Sequence, residues 1–257
     1  MTEDELLLSQ IKDKIAECDK NSMITSTDFL DLRKQGIAVS FLKKQKGVRW
    51  TLYGGYEDAE RKVVVVFLPF YVDDLEAFLK DSPEEEPFVT FRADKDNFST
   101  LSHRDYLGAL TGLGLRREKL GDIIVDDKGC FFFAKDSIAG FINQNFSSAG
   151  RGSLKITKVD GKPDFSKNIT VREICCFVAT PRLDAVVGGV YSLSRSKAVE
   201  FIDRGLVFVN DEQIMKPDFR LKAGDKLVLK GKGRARIKDD SSKSKKGRMA
   251  LIVDLFI

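Results

Sequence analysis

The segment from Arg182 to Leu229 leaves the chain few choices of fold. Ser192 or Ser194 stands where a helix N-cap is needed, ahead of apolar Ala198, Val199, Phe201 and Ile202 at helical spacing. Gly205 follows as the residue able to take the left-handed conformation that ends a helix. Leu206-Val207-Phe208-Val209 and Gln213-Ile214-Met215 then flank the polar turn Asn210-Asp211-Glu212, which is a hairpin pattern. Two short helices and a small hairpin are expected, with Arg182, Arg195 and Lys197 at the helix starts. Cations there oppose the helix dipole by roughly a few tenths of a kcal/mol unless an anion arrives. The exposed N–H groups of a first turn also favour a phosphate. The plainer alternative is a small surface helix with ordinary solvated charges.

Charge distribution bears on that choice. From Arg182 to the end there are 17 Lys and Arg against 10 Asp and Glu. The preceding residues hold 26 against 29, out of chain totals of 43 and 39. The net excess of +4 therefore lies in the last third. Lys230, Lys232, Arg234, Arg236 and Lys238 alternate with Gly231, Gly233, Ala235 and Ile237. On a strand, with period two, all five cations would share one face. Such a ribbon suits a phosphate backbone; a disordered basic tail or a lysine-protected edge strand are the alternatives. Lys243, Lys245, Lys246 and Arg248 add a second basic run, and Met249 to Val253 resumes a strand-like pattern.

Residues 182–229 resemble the S-four (S4) domain, first named in ribosomal small-subunit protein four. The resemblance implies that Arg182, Ser194, Arg195, Ser196, Lys197 and Arg204 line an RNA face. It also implies that Asn210, Lys216 and Arg220 lie near its rim. Asp184 is expected to orient an arginine rather than meet phosphate. One departure is that Asp211, not glycine, follows Asn210, which adds a negative charge near the turn.

A length of 257 residues suggests two or three small domains, and 42% hydrophobic content permits ordinary cores. No apolar run reaches about 18 residues, so no transmembrane helix is expected. The acidic start Met1-Thr2-Glu3-Asp4-Glu5 and the brief Leu6-Leu7-Leu8 do not read as a signal peptide. Cys18, Cys130, Cys175 and Cys176 have no C-x-x-C spacing and only one histidine to join them, so reduced and mostly buried thiols are expected rather than zinc. Neither a metal nor a cofactor is expected.

Turn-rich Asp81 to Pro87 and Asp160 to Asp164 divide the chain into 1–83, 84–165 and 166–257. The expected class is α+β, with an N-terminal α/β region, a central ferredoxin-like domain, and a C-terminal S4 domain of helices packed on a small sheet. In the first region, helices are expected at Glu3–Asp19 and Ser26–Lys34, and strands at Val48–Leu52 and Lys62–Phe67. In the second, Phe88–Phe91, His103–Leu113, Asp122–Val125, Cys130–Ala134, Asp136–Asn145 and Ser153–Lys158 give the order β-α-β-β-α-β. The RNA-recognition fold shares that order and stacks bases on sheet aromatics. Alternation places Phe131 and Phe133 on the face opposite Phe132, so base stacking and core packing both remain open for them.

Several catalytic lookalikes fail on detail. His103-Arg104-Asp105 lacks the asparagine of a kinase catalytic loop, since Leu110 occupies that place. Gly108, Gly112 and Gly114 do not have dinucleotide-fingerprint spacing. His103 has no identifiable catalytic partner and is expected to cap or orient its helix or to touch RNA phosphate. The one Arg-Leu-Asp, Arg182-Leu183-Asp184, falls within the S4 match rather than in a separate pseudouridine synthase domain.

Gly54 to Lys62, His103 to Leu110 and Arg116 to Ile123 are similar to signatures of the YlmH family, which also carries its S4 domain at the C-terminus. That resemblance implies a bacterial, cytoplasmic, non-enzymatic protein of ribosome-associated quality control. Its implied partners are ribosomal RNA and tRNA on the large ribosomal subunit, with a quality-control tailing factor, and no membrane. A pseudouridine synthase-like enzyme and a protein–protein scaffold using the acidic front half are the alternatives. The role of Gly54–Lys62 is left open, with a tight glycine turn as the plain reading.

Overall fold

A computed structural model describes all residues except 1, 58, 69–73, 97, 162, 164, 166–170, 244–248 and 257, and no side chains at 240–243. The chain divides into two compact units, residues 1–168 and 169–257.

The first unit opens with α1 (Glu3–Asn21), whose N-terminus is closed by a capping box between Thr2 and Glu5. There follow β1 (Thr25–Ser26), α2 (Leu32–Leu42), β2 (Arg49–Tyr53) and β3 (Val63–Phe67). The expected helix at Ser26–Lys34 is corrected to α2. Asp31 supplies the N-cap by accepting from the Lys34 amide, and Thr25 and Ser26 pair with β3 instead. β3 lies between β1 and β2, and all five of its residues are buried. Val64 and Val66 join Leu7, Ile11, Ala38 and Leu42, while Val63, Val65 and Phe67 face the opposite cluster. Burial on both faces explains why this strand reads as an unbroken apolar run.

After α3 (Leu75–Asp81), which the sequence reading did not anticipate, come β4 (Val89–Lys95), α4 (His103–Gly112), β5 (Leu120–Asp126), β6 (Gly129–Ala134), α5 (Ala139–Asn145), β7 (Ser148–Ala149) and β8 (Gly152–Val159). Asp81 to Pro87 forms the end of α3 and a short 3-10 turn. The sheet order is β5-β6-β4-β8-β7, antiparallel throughout. Phe91, Ala93, Cys130 and Phe132 pack under Tyr106, Leu110 and Ile142 from the helices. Of the turn at Asp160–Asp164, Lys162 and Asp164 lie outside the described residues.

On the other face of that sheet, Phe133 is 1% exposed. Phe88, Phe165 and Tyr56 surround its ring at centroid distances of 5.5, 5.7 and 5.9 Å. Gly55 has φ +87°, and a Cβ there would stand 2.8 Å from the Phe133 ring. Glycine is thus required both for the backbone conformation and for the close approach. The Gly54–Lys62 segment is more than a tight turn, because it also latches onto Asp122. The Tyr56 hydroxyl and the Glu60 amide donate to Asp122 Oδ2, both at 2.7 Å, and the Arg61 amide donates to Oδ1 at 3.0 Å. Arg61 and Arg117 then donate to the carbonyl of Leu120. Burial, followed by the neighbouring Arg61, pushes the Arg117 guanidinium down to about 10.

Helix α4 is capped by Ser102 and Asp105 rather than by His103, its first residue. Partial burial and the Arg117 charge hold His103 below the ordinary imidazole range, a direction that the Asp122 carboxylate opposes.

The second unit contains β9 (Val171–Val178), α6 (Leu183–Val190), α7 (Arg195–Asp203), β10 (Val207–Val209), β11 (Glu212–Gln213), β12 (Lys226–Leu229), β13 (Gly233–Lys243) and β14 (Met249–Phe256). One six-stranded sheet runs β11-β10-β12-β13-β14-β9. Leu183, Val187, Ala198 and Ile202 of the helices pack on Leu227, Ala235, Leu251 and Val253 of the sheet. Strand β9 was not anticipated; it pairs with the chain's last strand along its whole length. Cys18, Cys130 and Cys176 are buried thiols, and Cys175 is exposed.

Lys135 generates a pH prediction. Its ammonium donates to Ser26 Oγ, Thr27 O and Pro87 O at 2.8, 3.1 and 2.7 Å. Burial pushes it down to about 8. Between that pH and the ordinary lysine range near about 10.5, the unfolded chain holds a proton that the folded chain has released. Raising the pH through that window therefore stabilises the fold. Urea unfolding should show wild type gaining roughly 1–2 kcal/mol on a Lys135→Met variant across it. A difference that stays flat with pH would contradict this account.

Candidate nucleic-acid interface

The second unit's cations are organised around one carboxylate. Asp184 is 3% exposed and sits in the first turn of α6. Arg182 Nε and Nη2 donate to its Oδ1 and Oδ2, each at 3.2 Å. Arg195 Nε reaches Oδ2 at 3.1 Å, with Nη2 at 3.0 Å from the same oxygen. The Ala185 amide donates to Oδ1 at 2.8 Å. Burial alone would raise the Asp184 carboxyl, but the Arg182 and Arg195 hydrogen bonds outweigh it and hold the group below the ordinary carboxylate range. Arg182 is held above its ordinary range by the same hydrogen bond. Asp184 is thus held by two arginines and is too buried to belong among the surface contacts.

Backbone pairing brings a third arginine to this place. Arg182 and Arg220 form an isolated antiparallel bridge. The Leu183 and Asp184 amides donate to the Phe219 and Pro217 carbonyls at 2.8 and 3.0 Å. The Lys216–Arg220 segment therefore lies along the start of α6, with Lys216 and Arg220 exposed. No sequence spacing reveals this adjacency, because it depends on a tertiary bridge.

Ser194 caps α7 by accepting from the Lys197 amide at 3.2 Å, and its hydroxyl lies 3.2 Å from that of Ser196. Of the two candidate caps, Ser194 takes the role, while Ser192 adopts φ 53°. Gly205 ends the helix with φ 67°. Lys197 and Arg204 both pair with Glu200, at 2.7 and 3.5 Å, and Lys197 lies 5.5 Å from the Phe201 ring centre. Glu200 went unnoticed in the sequence, although its i,i+3 and i,i+4 spacing to the two cations was legible.

The hairpin turn is the two residues Asn210 and Asp211, with φ 50° and 66°. Asn210 Nδ2 donates to buried Asp225 at 2.8 Å, and its Oδ1 accepts from the Lys226 amide at 2.9 Å. Its side chain is committed to holding the hairpin on β12.

The basic ribbon needs correction. Lys230 and Lys232 are in the turn between β12 and β13, not on a strand face. Gly231 and Gly233, with φ 81° and 114°, reverse the chain there. Arg234, Arg236 and Lys238 do alternate with buried Ala235 and Ile237 on β13. Because Ala235 and Ile237 face α6 and α7, these cations lie on the sheet side away from the helices. Arg234 lies 5.6 Å from the Phe256 ring centre, and Lys238 pairs with Glu173 at 3.0 Å. The sequence-selected cations therefore occupy opposite faces of one unit. Lys245, Lys246 and Arg248 lie outside the described residues.

A buried carboxylate spreading two arginines at paired helix starts, above a hairpin and a small sheet, is the architecture of an S4-type RNA-binding module. The S4 family model matches residues 182–227. A second model, described as a putative RNA-binding domain in YlmH, matches residues 91–162. A curated relative, the ribosome-associated protein quality control protein P2 of Bacillus subtilis (strain 168), is 32% identical over 225 residues, covering 86% of this chain and 83% of that protein. A solved structure, the cell division protein YlmH from Streptococcus pneumoniae, is 16% identical with a TM-score of 0.49, covering 66% of this chain and 96% of that one. The chain belongs to the YlmH family of S4 RNA-binding proteins. No helix among the described residues is long and apolar enough to cross a membrane.

Replacing Asp184 by Asn removes the charge that two arginines share. Since both guanidinium groups keep partial solvation, a loss of about 1–3 kcal/mol in the stability of the full chain is expected in thermal melts. An unchanged melting profile would mean that the clamp contributes nothing to folding.

Proposed function

We propose that this chain is a non-catalytic RNA-binding factor of ribosome-associated quality control. It would bind ribosomal RNA and tRNA on the large subunit, steadying a tRNA while a tailing factor acts. The observation that carries the reading is the Asp184 clamp, which fixes Arg182 and Arg195 while leaving their side chains 38% and 63% exposed. Pre-oriented arginines lose less freedom on meeting phosphate. Arg220, Lys216, Lys197, Arg204 and the cap serines Ser194 and Ser196 extend this face. The quality-control setting is supported by the name of the Bacillus subtilis relative.

The central region supports the same reading. Apart from the two-residue edge strand β7, its elements run β-α-β-β-α-β, and β4, β5, β6 and β8 lie in the order β5-β6-β4-β8. This order is consistent with the ferredoxin-like arrangement of RNA-recognition domains, which supports the reading.

A pseudouridine synthase-like role for Arg182-Leu183-Asp184 fits the geometry poorly. Both Asp184 oxygens already accept hydrogen bonds, and the residue is buried. Binding without bond-making is the reading these contacts favour.

Arg195→Glu should abolish most RNA binding, because it reverses a charge on the exposed face and repels Asp184. Thermal melts identify a folded variant, and a folded variant that binds RNA like wild type overturns the proposed face. If roughly six cations meet phosphates, log affinity should fall with log salt at a slope of about −4 to −5. A titration series from low to moderate salt that gave a slope near zero would rule out a phosphate-led interface.

A further inference from the structure

The central domain carries a match to a putative RNA-binding model, yet the sheet face that such domains use is already filled. Phe133 is enclosed by Phe88, Phe165 and Tyr56, and half-buried Phe131 meets Phe165 on one side and the Arg92 guanidinium, 4.6 Å from its ring centre, on the other. Neither ring can take a base without displacing part of the first unit's core. Any base contact by this domain must come from elsewhere on it.

One aromatic residue is in the opposite situation. Phe98, between β4 and α4, is 98% exposed. Its position is fixed by Asp96, whose carboxylate accepts from the Phe98 amide at 3.0 Å and the Ser99 hydroxyl at 2.7 Å. The same carboxylate accepts from the Ser153 amide and hydroxyl at 2.8 and 3.0 Å, and the Asp96 amide donates back to the Ser153 carbonyl. The base of the loop is thus stitched to β8, and the ring is offered to solvent with no apolar surface beneath it. A Cβ at Gly152 would stand 2.6 Å from Ser99 Oγ, so the loop and strand are in close contact.

The surroundings are cationic. Lys95 and Lys128 are joined through the backbone at 2.9 Å, Lys95 pairs in register with Leu154, and Arg151 precedes that strand. The nearby acids are mostly spent internally. Asp94 and Asp126 neutralise Arg92, and Asp96 is saturated by loop donors. Among the described residues, Lys95, Lys128 and Arg151 make no ion pair.

We propose that Phe98 is a stacking platform for an unpaired RNA base, with Lys95, Lys128 and Arg151 holding the adjoining phosphates. An exposed aromatic beside cations that make no ion pair is the combination that single-stranded nucleic acid selects. The proposal rests on the RNA-binding reading above and adds a second contact, at the end of the central sheet.

The test uses the full chain and a fluorescently labelled single-stranded RNA of mixed sequence. Phe98→Ala should weaken binding by about tenfold without altering the thermal melt, since the ring is solvent-exposed. Phe98→Trp should retain affinity, and its added indole emission, measured against wild type with Trp50 alone, should be quenched as RNA binds. Arg195→Glu is run alongside. Wild-type affinity in Phe98→Ala, or indole emission that RNA leaves unchanged, overturns the platform. If Arg195→Glu loses binding while Phe98→Ala keeps it, only this proposal fails. If wild type binds no RNA, the proposal falls together with the reading beneath it.

Discussion

The buried carboxylate of Asp184 is the constraint on which the proposed interface depends. It sits at the start of one helix and holds arginines from that start and from the next helix. A charge this buried is tolerable only when its oxygens are hydrogen-bonded and paired. Meeting that requirement fixes α6 against α7, and the Lys216–Arg220 segment is fastened to the same turn by backbone bonds. Folding and presentation of cations are therefore one event in this unit: the groups that satisfy Asp184 are also those offered outward.

The first unit solves a different problem. Its central sheet has helices on one side and needs a cover on the other. The front region supplies that cover, with β3 buried on both faces and an aromatic cluster between it and Phe133. Asp122 and Lys135 fasten the cover at separate places, one by accepting from the Gly54–Lys62 segment and one by donating to backbone carbonyls. Two of the three family-like segments, Gly54–Lys62 and Arg116–Ile123, meet at Asp122, so their resemblance carries packing as well as any binding role. The consequence is that this face of the central sheet is packed against the front region rather than open to solvent.

Most of the element order was legible because periodicity and caps are local. The hairpin at Asn210, a cap at Ser192 or Ser194, the helix stop at Gly205 and the alternation of β13 each follow from a few neighbouring residues. Errors came where a non-local partner decided the outcome. Thr25 and Ser26 joined a sheet rather than a helix because β3 offered its edge. Lys230 and Lys232 fell in a turn because Gly231 and Gly233 took positive φ, which glycine permits but does not compel.

By itself the sequence determined the charge gradient, the S4 signature and the hairpin at Asn210. These depend on residue type and short spacing, which fold into place by local rules. Only the tertiary structure decided that Arg220 stands beside Arg182, that the β13 cations face away from the helices, and that Phe133 is covered while Phe98 is bare. Adjacency, facing and burial are properties of pairs of elements distant in the chain. They are fixed by which apolar surfaces meet, and no stretch of sequence contains both partners.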